Sequence, residues 1–144
     1  MGLRLDHERG HLFRAVLEAT AYGFRHHLDV FAELGRRPAR IRVTNGGARS
    51  QLWKQVVADV LGQPLEALAE GAGSELGAAF AAGKGVGAFG DWGEIERFVR
   101  VGHRVEPDPV AGDLYRELYP AYRALYPALD PVLALTRTRG RAAS

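Results

Sequence analysis

Between Asp6 and Ala82 the sequence switches from helical to extended patterning and back again twice, and this alternation constrains the fold more than any other feature. From Asp6 to Gly35, apolar residues such as Leu12, Val16, Phe24, Leu28 and Phe31 recur at the spacing of one amphipathic helix. Gly35 offers a left-handed stop and Pro38 prevents continuation, so the helix is expected to end near Leu34. Arg40-Ile41-Arg42-Val43-Thr44 then alternates charged with β-branched residues, the pattern of a short strand that turns Ile41 and Val43 to a core. Asn45-Gly46-Gly47-Ala48 reads as a turn, and Arg49 to Leu61 as a helix with Leu52, Val56, Val57 and Val60 on its apolar side and Gly62 as its cap. Gln63 to Leu68 reads as a second strand, and Gly73 to Ala82 as a helix of small residues able to pack its backbone closely on a neighbour. The order helix, strand, helix, strand, helix implies an α/β layer with crossover helices.

The remainder is more broken. Gly83 to Gly90 holds four glycines and is expected to be a flexible connection. Asp91 is placed to cap a short helix reaching Val99, and Arg104 to Pro109 is an extended, proline-bounded segment. From Asp113 to Leu135 the helical spacing returns, with Pro120, Pro127 and Pro131 expected to kink or segment it. Tyr115, Tyr119, Tyr122 and Tyr126 form one helical stripe, read as packing and not as a base-stacking surface. One folded unit at 1–135, followed by a flexible basic tail at 136–144, is the expected organisation.

With 144 residues, 47% of them hydrophobic, the chain has enough apolar side chains for one core. It has no cysteine, which excludes disulfides and thiolate metal sites. No stretch approaches the roughly 20 apolar residues of a membrane span, and the start carries no secretory core, so a cytoplasmic location and no membrane partner are expected. The net charge of +2, with acids interleaved throughout, does not concentrate into the basic face of a nucleic-acid binder, and no nucleic-acid partner is expected.

The chemistry-bearing candidate is the strand that runs into Asn45-Gly46-Gly47-Ala48-Arg49-Ser50 and then a helix. Glycines let a backbone approach a ligand, and the first-turn amides of the following helix favour a phosphate or the polar edge of a nucleotide. By composition alone, plain turn chemistry is the commoner reading of such a glycine pair. Other candidates have plainer readings. Asp59, on a helix of Val, Ala and Leu with no activator beside it, reads as a structural hydrogen-bond acceptor. His7 and His11 have a metal-compatible spacing but no third patterned ligand, and no metal site is expected. Arg14 and Glu18 are spaced for a helical ion pair.

The segment from Ile41 to Pro64, together with His11 to Ala19, Glu75 to Ala82 and the tyrosine-rich stretch from Tyr115 to Tyr126, resembles the carboxyl-terminal region of FGGY carbohydrate kinases, among them the xylulose kinase-like members. The resemblance covers about residues 7 to 130 with its motifs in the family's order. It implies a fragment of the carboxyl-terminal lobe of the actin-like ATPase (ribonuclease H-like) fold: α/β, helix-rich, with a few short strands. It also implies that Gly46, Gly47 and Ala48 face the adenosine part of ATP with their backbone, and that Ser50 or Gln51 donates a side-chain hydrogen bond. Asn45 stands where many members have a third glycine, a departure that Asn tolerates better than most residues because it accepts left-handed backbone angles.

The intact enzymes of such a family would transfer a phosphoryl group from ATP, with Mg2+, to a sugar hydroxyl, a ketopentose such as xylulose being implied here. The general base, the phosphate-binding turn and the sugar pocket belong to an amino-terminal lobe that this sequence does not show. No catalytic residue is therefore assigned to the chain. It is expected to be inactive alone, as a cut piece or a truncated reading frame, and to pair with a complementary amino-terminal lobe or with itself.

Overall fold

A computed structural model describes residues 2–69 and 73–141, with side chains placed through Ala134. Helix α1 (Arg9–Glu33) leads into strand β1 (Ile41–Val43), a five-residue helix α2 (Asn45–Arg49), helix α3 (Gln51–Leu61) and strand β2 (Leu65–Leu68). Helix α4 (Ser74–Gly85), a 3-10 helix (Trp92–Arg97), strand β3 (Val101–Val105) and helix α5 (Pro109–Arg141) follow. The strands form one sheet in the order β1-β2-β3, with β1 parallel to β2 and β3 antiparallel to it.

The parallel pair demands a crossover, and α3 supplies it. Ser50 caps α3 by accepting from the Trp53 amide at 3.2 Å, and Gly62 ends it in the left-handed region at φ 63°. Its inner residues Val56, Ala58 and Val60 are almost wholly buried, and Leu65 and Ala67 of β2 bury on the same side. The opposite sheet face is polar. Arg42 pairs across the register with Glu66 at 3.1 Å and reaches Glu96 of the 3-10 helix at 3.3 Å. The Glu66 hydrogen bond, with Glu96 adding to it, holds the Arg42 guanidinium above its ordinary range.

α1 and α5 pack on α3, and tyrosines join them. Tyr22 of α1 stacks on Tyr119 and Tyr122 and meets Tyr115 edge-on, with ring centroids 5.8, 5.0 and 5.9 Å away. Arg14 and Glu18 form the expected ion pair at 2.8 Å, and both bond to the Tyr115 hydroxyl. Burial pushes the hydroxyls of Tyr22 and Tyr119 up to about 12 from an ordinary 10.0. The unfolded chain therefore releases these protons first as pH rises. Stability from this cluster is complete below pH 10 and is lost as pH climbs toward 12, a loss that urea titrations stepped across that window should register as a falling midpoint.

Asp59, 4% exposed, is the structural acceptor the sequence suggests: it takes hydrogen bonds from Gln55 Nε2 at 2.8 Å and from the Asp108 amide at 2.7 Å. Asp108 in turn caps α5 by accepting from the amides of Val110 and Ala111.

Three expectations need correction. A third strand, β3, begins at Val101 and takes in only Arg104 and Val105 of the stretch read as extended from Arg104 to Pro109, and Pro109 already opens α5. The connection expected from Gly83 to Gly90 starts only after Gly85, because α4 absorbs two of its glycines and the Phe89 ring packs over Gly83. Pro120, Pro127 and Pro131 do not segment α5, which runs as one helix. Helix α5 is described as far as Arg141, within the stretch expected as a tail, and 142–144 lie outside the described residues.

Candidate functional site

Parallel strands deliver the turns after β1 and after β2 to the same edge of the sheet, the edge at which open α/β folds bind ligands. The two turns meet. Asn45 begins the first with φ 55°, a left-handed angle that a short polar side chain tolerates. Its carboxamide lies so close to Gly73, the residue before α4, that a Cβ at Gly73 would overlap it. Gly73 thus allows a contact that joins two loops 28 residues apart in number, 73 minus 45.

α4 is held over this edge by a small aromatic cluster of its own. Phe80, 2% exposed, stacks on Phe89 at 4.4 Å, and Phe98 closes on both rings. The Arg42–Glu96 pair and a backbone bond from the Ala69 amide to the Arg100 carbonyl at 2.8 Å tie the cluster to the sheet.

The expected site residues separate on this frame. Gly46 is exposed, and nothing lies within 4 Å of where its Cβ would stand, so its backbone is open to a ligand. Gly47 is different: a Cβ there would stand 3.0 Å from Val43 Cγ2 and 3.3 Å from Trp53 Nε1, so its lack of a side chain serves packing under the turn. Ala48 is half-buried, and Gln51 is exposed at the start of α3. The Ser50 oxygen already accepts from Trp53, which leaves the hydroxyl hydrogen to donate. The glycines form a separate short helix, α2, instead of leading straight into the next one, so the amides expected at the turn belong to two helices and not to one.

Two residues escaped the sequence reading. Trp53 and Lys54 line a cavity of about 470 Å³ behind Gly47, shared with Phe24, Phe31, Ile41 and Val43. Lys54 is 3% exposed and its Nζ lies 2.6 Å from Nε2 of His103 on β3. Their signal was weak, since a tryptophan and a lysine in the first turn of an amphipathic helix ordinarily sit at its edge. The cavity lies between α1, α3 and the sheet, and Thr44 and Gly47 at the glycine turn also line it. No group of three histidine or acidic residues able to hold a metal occurs among the described residues, and His7 and His11 instead accept from the backbone amides of Arg4 and Glu8.

A three-stranded sheet with a βαβ crossover, and two glycine-containing turns meeting at its carboxyl edge, defines an α/β layer of the open-sheet kind. Residues 1–86 match the FGGY family of carbohydrate kinases, C-terminal domain, and the chain belongs to that family. It is 39% identical over 119 residues to the glycerol kinase of Limosilactobacillus reuteri (strain DSM 20016), a match that covers 80% of this chain and 24% of that protein. Against the L-xylulose/3-keto-L-gulonate kinase of Escherichia coli (strain K12) the identity is 34%, over 90% of this chain and 26% of the relative. The crystal structure of xylulose kinase from Rhodospirillum rubrum superposes with a TM-score of 0.78 at 43% identity, covering 92% of this chain and 27% of that one. The fold is thus the actin-like lobe fragment that the sequence suggested, and the chain spans about a quarter of the length of these relatives.

Proposed function

We propose that this chain forms the nucleotide-facing part of the second lobe of an ATP-dependent carbohydrate kinase, with the Asn45–Gln51 turn against the adenosine. One observation carries the reading: in a chain of this family, the turn after β1 and the start of α4 come into contact at Asn45 and Gly73, with Gly46 open beside them. The backbone of Gly46, Gly47 and Ala48 offers the ligand its polar edge, and the Ser50 hydroxyl and the Gln51 carboxamide offer donors. The intact enzyme would move the terminal phosphoryl group of ATP, with Mg2+, to a sugar hydroxyl in the cytoplasm. A ketopentose such as xylulose is the acceptor that the names of two relatives favour.

Catalysis of this kind depends on positioning and on charge stabilisation between two lobes, and this chain provides one wall. The base and the sugar pocket fall to the other lobe. The purified chain is accordingly expected to show no turnover above background with ATP and a panel of pentoses, hexoses and glycerol in a coupled assay. Turnover at the rate of an ordinary kinase would refute the division of labour.

Nucleotide binding is expected to be weak, because an adenosine held on one side remains largely solvated and its ordering cost is poorly offset. ADP titrated into labelled protein should shift the amides of residues 45–51 and 73–75. Gly46→Val should abolish those shifts with the helices intact, since it adds a branched side chain where only a ligand would meet it. Gly47→Val is the wrong test, because it also displaces Trp53 and Val43. Shifts that persist in Gly46→Val, or cluster elsewhere, would remove the turn from the site.

A second reading, a non-catalytic module completed by a separate amino-terminal lobe, has support of its own. β1 pairs on one side only among the described residues, which leaves an edge open to a further strand.

A further inference from the structure

Helix α4 is seated on the sheet by an indirect route. Its main packing partner is the 3-10 helix and the residues around it: Phe80 of α4 stacks on Phe89 and meets Trp92 and Phe98, at ring-centroid distances of 4.4, 6.1 and 6.4 Å, and Lys84 Nζ donates to the Gly90 carbonyl at 2.6 Å. The 3-10 helix is itself closed by a capping box between Asp91 and Glu94. One guanidinium joins it to the sheet. Arg42 of β1 donates from Nε to Glu66 of β2 at 3.1 Å and from Nη1 to Glu96 of the 3-10 helix at 3.3 Å, and no other side-chain hydrogen bond or ion pair links that helix to the sheet among the described residues. Neither carboxylate is paired with a second cation. Arg97 is held by Glu94 at 3.1 Å, and Arg104, opposite Glu66 in the β2–β3 register, by Glu106 at 2.6 Å. Arg42 also stands three residues before Asn45. Its strand therefore carries the glycine turn, while its fork carries, through Glu96 and the aromatic cluster, the helix that begins after Gly73.

We propose that Arg42 is a positioning residue of the nucleotide site: it holds the start of α4 against the Asn45–Gln51 turn, so that the two parts of the nucleotide-facing wall stay in contact. The inference rests on the reading of that turn given above. Arg42 acts through Glu96 and not by touching the ligand. A planar guanidinium serves two carboxylates at once in a fixed geometry, whereas a lysine is a point charge that satisfies one at a time. The Glu96 side chain is 58% exposed, so the bridge contributes little to stability. Its contribution is geometric: a wall assembled beforehand spares a ligand the cost of ordering it.

Two readouts on the labelled full chain separate this role from plain support of the fold. In the ligand-free protein, nuclear Overhauser contacts between the Asn45 carboxamide and the Gly73 α-protons should weaken in Arg42→Met and in Glu96→Gln, while those among Tyr22, Tyr115 and Tyr119 persist. ADP titrations followed at residues 45–51 should give a Kd raised roughly three- to tenfold in each variant, and no further in the double variant, because both substitutions break the same link. Arg42→Lys, which keeps the charge but not the fork, should behave as Glu96→Gln does. Tyr22→Phe, altered at the α1–α5 contact, should keep the wild-type Kd. The proposal is overturned if Arg42→Met and Glu96→Gln retain both the Asn45–Gly73 contact and the wild-type Kd, if their effects add in the double variant, or if Kd simply follows the urea midpoint across all variants, Tyr22→Phe included. Wild-type shifts at 45–51 with an unmoved Kd in the variants would remove Arg42 alone. A wild-type chain without ADP shifts at 45–51 would remove the nucleotide reading, and this role with it.

Discussion

Truncating Tyr22 to alanine is expected to cost about 3 to 5 kcal/mol, the range for deleting a large buried aromatic side chain. Tyr22 is 7% exposed and stands between α1 and α5, with three tyrosine rings around it at centroid distances from 5.0 to 5.9 Å. No neighbouring side chain is placed to refill the gap, because Tyr115 and Tyr119 are themselves held by hydrogen bonds to Glu18 and Asp29. A domain of ordinary stability, about 5 to 15 kcal/mol, would be left marginal. Tyr22→Phe separates ring from hydroxyl. Its hydrogen bond to the Tyr115 carbonyl is long, at 3.4 Å, so this variant should cost about 1 kcal/mol or less. Urea unfolding of both variants decides the matter: equal losses would mean that the hydroxyl, and not the ring, joins the two helices.

Asp59→Ala is expected to cost about 2 to 3 kcal/mol, since a buried charged acceptor is lost while its donors remain. The carboxylate holds the Asp108 amide at 2.7 Å and Gln55 Nε2 at 2.8 Å, and Gln55 also donates to the Glu106 carbonyl at 2.9 Å. These bonds fix the corner where β3 turns into α5. Asp59→Asn keeps an acceptor of the same shape and should cost about half as much, the charge assistance being lost. Hydrogen exchange adds a local test. The Asp108 amide should lose protection in Asp59→Ala ahead of the α3 amides, and protection unchanged there would remove Asp59 as the anchor of α5.

Much of the fold was legible because it follows from local periodicity. The apolar spacing of α1 and α3, the β-branched alternation of β1, and the stops at Gly35 and Gly62 are properties of consecutive residues. β3 was harder to read: Val101-Gly102-His103-Arg104-Val105 buries only Val105, so no alternation marks it, and its pairing with β2 is what makes it a strand. The prolines of α5 misled for a related reason. A proline removes one hydrogen bond and strains one turn, a cost of about 3 kcal/mol in isolation, but the Tyr115–Tyr122 face is packed against α1, and that burial carries the helix through Pro120.

The candidate site divides along the same line. The sequence by itself determined the alternation of helices and strands from α1 to α4, the family and the glycine turn after β1, because each is written in a contiguous run of residues. It also determined that Asp59 is structural, from the apolar company it keeps on α3. Only the tertiary structure decided that Asn45 touches Gly73, that Gly46 is open while Gly47 is packed on Trp53, and that Lys54 reaches His103. Those facts depend on distances across the folded sheet, which the pairing of β2 with β1 and with β3 and the seating of α3 set, and which no local pattern encodes.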